Sequence, residues 1–391
     1  MVAMGNAPVS SGTGKLQGIE IKPAGFDGKK LTNEMRALGL GGVLLTSPEN
    51  VFYATGFPAL PSSGNPILYM LRRYLPYFAF ITAEGKAMLF CWQLAAEGMT
   101  YGADETYGFD TVEQAQGMLI DLLKQNFDSQ RPLGIESACP YYITALVKEK
   151  GVVPAFYVID RVMENLRLIK SPREIELIQR STEIIERTMT ELMDEVIHVG
   201  MSRLELIQEA KARLYKNGGT GISHATFGFG IVNPEIAIGE ILEEGKLITL
   251  DLGGIYEGYA SDTRRYAYAG SIDPAILELH KTMVDIVDRV GEALIPGKRF
   301  YDVYEYALSL YAEYGLKPKF TRAGHSIGLE TEEVWISKDE DRRIEPGMVL
   351  NVELYSDPPT GEHVGNEETY VINESGPQRI STLPRDIRRI G

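Results

Sequence analysis

Four acidic residues stand inside strand-like, otherwise apolar segments, and this feature limits what the chain can fold into. In LITLDLGGIYEGYASDTRRYAY, a two-residue turn at Tyr256-Glu257 would pair Asp251 directly with Asp262 on one face of a hairpin. Directly opposed residues have Cβ atoms roughly 5 Å apart, and like charges at that spacing destabilise a sheet. The fold must therefore place something positive between the two carboxylates.

A second acidic pair repeats this geometry. In NVELYSDPPTGEHVGNEETYV, residues 357–361 resemble a turn, and pairing centred on Thr360 sets Glu353 opposite Glu367. One such pair could belong to a solvated face or a salt-bridged cluster, but two pairs in one domain favour a cation site. His325, in TRAGHSIGLE, is a candidate nitrogen ligand, although a lone histidine is more often structural. This oxygen-rich set, with a charge of about −4, predicts two divalent ions, and it suits Mn, Co, Fe or Zn better than Ca.

The composition limits partners and location. The chain has 391 residues, enough for two domains, and a formal net charge of -15 without a Lys/Arg run. Nucleic acids and anionic membranes need clustered positive charge, so neither is an expected partner. Cys91 and Cys139 lack CxxC spacing, which argues against a disulfide framework and favours a cytoplasmic protein. We find no signal-peptide pattern and no apolar run of transmembrane length, and we expect no membrane span.

The order of elements predicts two domains after a flexible tail at residues 1–20. Residues 21–165 alternate, with strands predicted at 41–46, 78–82, 86–90 and 132–137 and a helix at 113–127, which indicates an α/β domain. Ser171, Pro172 and Glu174 predict a capped helix near the start of the second domain, 166–391. A second capped helix runs from Ser202 to Lys216, and hairpins follow in separate blocks. This arrangement predicts an α+β fold rather than a parallel sheet.

The five candidate ligands and their surroundings resemble the pita-bread metallopeptidases, which include methionine aminopeptidase, aminopeptidase P, prolidase and the related creatinase. The family order is Asp, a second Asp eleven residues later, His, Glu and Glu, and here it falls on Asp251, Asp262, His325, Glu353 and Glu367. SPENVFYATGF is similar to the N-terminal domain of prolidase and creatinase, and IKSPREIELI to the start of their catalytic domain. The resemblance implies a pita-bread catalytic domain after an α/β creatinase-type domain.

The resemblance also implies roles for the ligands and an assembly. Asp262 and Glu367 would bridge two metal ions, Asp251 would chelate one ion, and His325 with Glu353 would hold the other. The implied activity is hydrolysis of an amide bond next to a proline-like nitrogen by a metal-activated water. The implied assembly is a homodimer.

Three positions depart from the family pattern. Ile238 or a neighbour, in NPEIAIGEILEEG, stands where the peptidases carry a histidine that contacts the substrate. In HSIGLETEE, Glu332 takes the place of the second histidine of HGIGLxxHE. Gly365 stands two residues before the last ligand, where an arginine is usual. These departures affect contacts outside the metal ligands and weaken the case for an Xaa-Pro peptide as the substrate.

Three side chains are candidates for the remaining catalytic work. Glu332 could act as a general acid or base, and it could equally be a surface acid in the run from Glu330 to Glu333. Glu333 matches an acid of the family and could support a ligand. His224, in SHATFGFG, is the best substitute for the missing histidine, because its segment lines the substrate cleft in the family.

Three functions remain open for the chain. The first is a metal-dependent Xaa-Pro dipeptidase or aminopeptidase that acts on short peptides. The second is a C–N hydrolase for small molecules, similar to creatinase or ectoine hydrolase, or a lyase on the same fold; the three departures motivate it. The third is a catalytically silent binding module, against which the complete ligand set argues, because a scaffold has no need to hold opposed acids together.

Overall fold

A computed structural model describes residues 19–230, 235–236, 238–359 and 361–390. Its contacts divide the chain into two compact units, with the division between Arg167 and Leu168. The predicted tail falls almost entirely outside the described residues. The predicted boundaries at residues 20 and 165 stay predictions.

The first unit contains a six-stranded sheet with strand order β6-β4-β3-β2-β7-β8 and a two-stranded sheet of β1 and β5. Its strands are β1 (Ile19–Ile21), β2 (Gly42–Leu45), β3 (Phe78–Thr82), β4 (Ala87–Trp92), β5 (Met99–Tyr101), β6 (Glu105–Phe109), β7 (Leu133–Ile135) and β8 (Phe156–Val158). Its helices are α1 (Gly28–Ala37), α2 (Pro48–Thr55), α3 (Ile67–Met70), α4 (Gln93–Ala96), α5 (Val112–Asn126), α6 (Tyr141–Glu149) and α7 (Asp160–Leu168), the last of which ends at the division.

The predicted strands and helix of this unit are confirmed within a few residues. β3 and β4 form the expected antiparallel hairpin, with Phe78 opposite Phe90. A buried carboxylate, Glu136, accepts hydrogen bonds from the backbone of Ser47 at 2.9 Å and from Asn50 Nδ2 at 2.7 Å. It thereby ties the start of α2 to the end of β7. Cys91 and Cys139 are both free thiols.

The second unit is built from two five-stranded sheets, each covered by two helices. The first sheet has the order β11-β10-β12-β18, with β9 also on β10, and the second has the order β14-β13-β15-β16-β17. The strands are β9 (Gly221–Phe229), β10 (Leu247–Tyr256), β11 (Tyr259–Ala260), β12 (Thr263–Ala269), β13 (Arg322–Ser326), β14 (Trp335–Ser337), β15 (Val349–Ser356), β16 (Val364–Asn373), β17 (Gly376–Arg379) and β18 (Arg388–Ile390). The helices are α8 (Pro172–Glu191), which continues as a π turn (Leu192–Val196), α9 (Arg203–Lys216), α10 (Pro274–Glu292) and α11 (Phe300–Glu313).

Apolar faces hold the helices onto the sheets. Ile185 and Leu214, from α8 and α9, share a core with the first sheet, and Ile286 and Leu310, from α10 and α11, share one with the second. Both predicted capping boxes are present, at Ser171 and at Ser202. Among the described residues, no helix is both long enough and apolar enough to cross a membrane.

The predicted register of the first acidic hairpin is wrong by two residues. The turn lies at Glu257 and Gly258, whose φ angles are 48° and 92°, so that Ile255 faces Ala260 and Asp251 faces Arg264. Two successive positive φ angles suit a tight hairpin turn, and glycine adopts one without a steric cost. Asp262 falls in the break between β11 and β12 and is not paired with Asp251.

Candidate metal centre

The second acidic hairpin supplies one side of the centre. Glu353 on β15 lies directly opposite Glu367 on β16, as predicted. Glu367 is only 1% exposed, and Asn351 Nδ2 donates to its Oε1 at 3.0 Å. Its other oxygen, Oε2, is buried without a hydrogen-bond partner among the described residues. An unpartnered buried carboxylate oxygen is costly, so this atom calls for a cation.

His325, on β13, lies near Glu367. The strand approaches β15 closely because Gly324 has no side chain: a Cβ there would lie 1.9 Å from the carbonyl oxygen of Asn351. His325 is fully buried, and its Nε2 has no hydrogen-bond partner in the described part of the chain. That nitrogen lies 3.7 Å from Asp262 Oδ2. One ligand atom each from Asp262, His325 and Glu367 lie within 4.8 Å of one another; we call these three residues the Asp262 cluster.

Asp251 is surrounded differently, because both of its oxygens have cationic or proton-donating partners. Its Oδ1 lies 3.0 Å from His224 Nε2, which is also 3.1 Å from Asp262 Oδ1. Its Oδ2 forms an ion pair with Arg264 Nη2, and Arg264 Nη1 lies 2.8 Å from Glu353 Oε1. Gly253 makes room for the imidazole, since a Cβ there would lie 2.4 Å from His224 Cε1. His224, Asp251 and Asp262 also satisfy the spacing of a metal site.

The electrostatics of the centre follow from this crowding. Burial, reinforced by the charges of Asp262 and Asp251, raises the pKa of Glu367 well above its usual value. Burial alone would lower the pKa of His224, but the carboxylates of Asp262 and Asp251 raise it well above 6.5. Burial opposes ionisation of Asp251, and Arg264 nevertheless lowers the pKa of that carboxyl. The acids thus outnumber the positive groups beside them. A divalent cation would reduce this excess of negative charge.

Glu332 lies at the more open side of the centre. Its side chain is 32% exposed, and its Oε1 accepts a hydrogen bond from Arg322 Nη2 at 2.6 Å. The same guanidinium is 3.7 Å from Glu353 Oε2 and packs on the ring of Trp335. One ligand atom each from His325, Glu332 and Glu353 fall within 4.8 Å of one another. Glu332 therefore lies near two of the candidate ligands, His325 and Glu353.

Glu333 points elsewhere. Lys170 Nζ lies 2.8 Å from its Oε2, and the backbone of Leu329 donates to its Oε1 at 3.0 Å. Both side chains of the ion pair are nearly buried, at 1% and 4% exposed. Glu333 is in none of the three groups of possible ligands found among the described residues. Its contacts are those of an internal ion pair.

One departure from the family pattern, Gly365, has a local explanation. A Cβ at Gly365 would lie 2.3 Å from the carbonyl oxygen of Leu354, so no arginine fits there. Ile238, at or beside the position where the peptidases carry a histidine that contacts the substrate, is 46% exposed.

Arg264 was not predicted to be part of the centre, because the predicted register placed Asp262 opposite Asp251, where Arg264 lies. The doubled arginine of SDTRRY was the available signal.

Comparisons with known proteins cover nearly the whole chain. Residues 176–374 match the model of metallopeptidase family M24, and residues 29–169 match the creatinase/prolidase N-terminal domain. An Xaa-Pro dipeptidase of Pyrococcus furiosus is 30% identical over 369 residues, which cover 92% of this chain and 98% of that protein. An Xaa-Pro dipeptidase of Pyrococcus horikoshii is 27% identical, over 92% and 97% of the two chains.

Solved structures share the fold. A prolidase from Pyrococcus horikoshii superposes with a TM-score of 0.79 at 24% identity and covers 92% of this chain and 99% of its own. Aminopeptidase P from E. coli superposes with a TM-score of 0.70 at 20% identity, over 92% and 96% of the two chains.

Proposed function

The chain belongs to metallopeptidase family M24, and from this membership we propose that it hydrolyses Xaa-Pro dipeptides in a metal-dependent reaction. The family and the hydrolase that the resemblance implied are confirmed, as is the predicted fold, an α+β pita-bread domain after an α/β creatinase-type domain. The observation that carries the proposal is the Asp262 cluster, where buried His325 Nε2 and Glu367 Oε2 lack partners among the described residues and converge with Asp262.

The donor set fits a divalent ion of the transition series. One imidazole nitrogen with carboxylate oxygens suits Mn, Co, Fe or Zn. Such an ion, when bound, polarises a carbonyl and lowers the pKa of water. Asp262, His325 and Glu367 would hold the ion. Glu332, held by Arg322 at the open side, would pass a proton to the departing nitrogen.

Several finer predictions from the sequence stay predictions. They are the pair of ions with Asp251, Asp262, His325, Glu353 and Glu367 as ligands, and the catalytic roles for Glu332, Glu333 and His224. The homodimer, the cytoplasmic location and a short peptide or small molecule as the substrate also stay predictions. The contacts of Glu333 with Lys170 and Leu329 favour a structural role over a catalytic one.

The test uses the enzyme purified without chelator. We expect hydrolysis of Xaa-Pro dipeptides to exceed that of matched Xaa-Ala dipeptides, to be lost with a chelator, and to return with Mn²⁺ or Co²⁺. Glu367→Gln should abolish turnover and most metal binding. Glu374→Gln, an exposed glutamate just beyond the same strand, is the matched control and should change neither. Metal-replete enzyme that leaves every dipeptide intact would contradict the proposal.

A second candidate, a C–N hydrolase for small molecules, is favoured by the altered positions beside the ligands. Glu332 pairs with Arg322 where the peptidases have a histidine, and Gly365 excludes an arginine. Creatine and cyclic amidines therefore join the substrate panel. Turnover of one of these with none of the dipeptides would establish this candidate. Bound metal without any turnover would favour the binding module.

A further inference from the structure

A guanidinium occupies the part of the centre where a second metal ion would bind. Arg264 extends from β12, and its side chain is 14% exposed. Nη2 pairs with Asp251 Oδ2, and Nη1 lies 2.8 Å from Glu353 Oε1. Arginine keeps its charge at every physiological pH. A permanent cation thus links two of the five predicted ligands.

The two ends of the centre differ in whether their buried polar atoms have partners. At the Asp262 cluster, His325 Nε2 and Glu367 Oε2 are buried without partners among the described residues. At the other end, Asp251 has Arg264 on Oδ2 and His224 on Oδ1. The first end therefore fits a cation, whereas the second already has one.

A second ion on Asp251 would meet a steric and electrostatic conflict. Carboxylate oxygens bind such ions at about 2.0–2.2 Å, so an ion on Oδ2 would be adjacent to the guanidinium that pairs with this oxygen. Two cations would then share one carboxylate. Moving Arg264 away would separate a buried guanidinium from Asp251 and Glu353, which is strongly unfavourable.

We propose that the chain binds a single divalent ion, at the Asp262 cluster, and that Arg264 replaces the second ion as the positive charge between Asp251 and Glu353. This inference rests on the metal centre of the proposed function but not on its substrate. It departs from the two ions predicted from the sequence. The same guanidinium offsets the negative charge of Asp251 and Glu353, one acid from each hairpin.

The test counts ions on the full-length protein. Apo protein is titrated with Mn²⁺ by calorimetry, and ions are counted by mass spectrometry after desalting. We expect about one ion per chain in the unaltered protein and in Arg264→Lys, which keeps the charge, and about two in Arg264→Ala. Arg322→Ala, which removes the other arginine near Glu353, is the matched control and should stay at one.

Each outcome either supports or contradicts the binding of a single ion. Two tightly bound ions per chain in the unaltered protein would overturn the inference while leaving the metal-dependent function intact. No bound ion would overturn both. One ion without dipeptide turnover would support this inference and contradict only the proposed substrate. If Arg264→Ala does not fold, Arg264→Met keeps the aliphatic volume without the charge, and a folded variant that still binds one ion would count against the inference.

Discussion

The buried ion pair between Lys170 and Glu333 gives the sharpest test of whether Glu333 is catalytic. Glu333→Gln would keep an acceptor for the backbone N–H of Leu329, but it would remove the carboxylate charge that lies 2.8 Å from the buried ammonium of Lys170. Removing one partner of a buried pair costs about 3–5 kcal/mol. We therefore expect a large loss of stability and a nearly unchanged kcat for the molecules that remain folded.

The size of the effect can be followed by thermal unfolding. In a domain of this size, each kcal/mol lowers the melting temperature by about 2–4 °C, so Glu333→Gln should lower it by roughly 6–20 °C. Circular dichroism melts and kcat at a temperature below the transition measure the two quantities separately. The exposed Glu176, paired with Arg173 on the first turn of α8, supplies a control: Glu176→Gln should change stability by about 1 kcal/mol or less.

A double variant separates the ion pair from other consequences. Lys170→Met with Glu333→Gln removes both charges, so it should be more stable than the sum of the two single variants predicts. An unchanged melting temperature together with a kcat reduced about 10²-fold or more would refute the structural role and restore Glu333 as a proton-transfer group.

Three further predictions follow from individual contacts. Burial lowers the pKa of His280 to about 4, below its unfolded value of 6.5; the unfolded chain then binds the extra proton as the pH falls from 6.5 to 4. Stability present above pH 6.5 is lost over that range, by roughly 2.5 kcal/mol at pH 4.5. Acid melts of His280→Phe should lack this part of the loss, and equal slopes of stability against pH would contradict the prediction. Glu332→Gln should lower kcat for Xaa-Pro dipeptides about 10²-fold or more, because it removes the carboxyl that passes the proton to the departing nitrogen; an unchanged kcat would refute this role. Gly365→Ala should destabilise the chain by about 1–3 kcal/mol in urea unfolding, because its Cβ meets the Leu354 carbonyl oxygen; wild-type stability would refute the clash.

Features with a local cause could be predicted from the sequence. The capping boxes at Ser171 and Ser202 depend on residues three apart, and both formed as expected. The hairpin of 78–82 and 87–92 needed only short strands around a glycine turn. The opposition of Glu353 and Glu367 followed from a turn whose centre is marked by two prolines and a glycine. In each case the deciding interaction lies within a few residues along the chain.

The cation of the centre could not be found in this way. A turn at Tyr256-Glu257 and one at Glu257-Gly258 both fit the sequence, and only the second places two positive φ angles where glycine helps. The choice moves the partner of Asp251 from an acid to Arg264. The ion pair of Arg264 with Glu353 joins the two sheets, and no local pattern encodes it.

The two-residue error also explains why the acids were still assigned to one centre. Side chains alternate between the faces of a strand with a period of two, so an even shift leaves each side chain on its own face. A one-residue shift would have turned Asp262 away from His325, whereas the observed shift keeps it within 3.7 Å of the imidazole. The same shift puts Arg264 opposite Asp251, where the first pattern already required a positive group. The prediction that a positive charge lies beside these acids was therefore correct, and Arg264 supplies part of that charge.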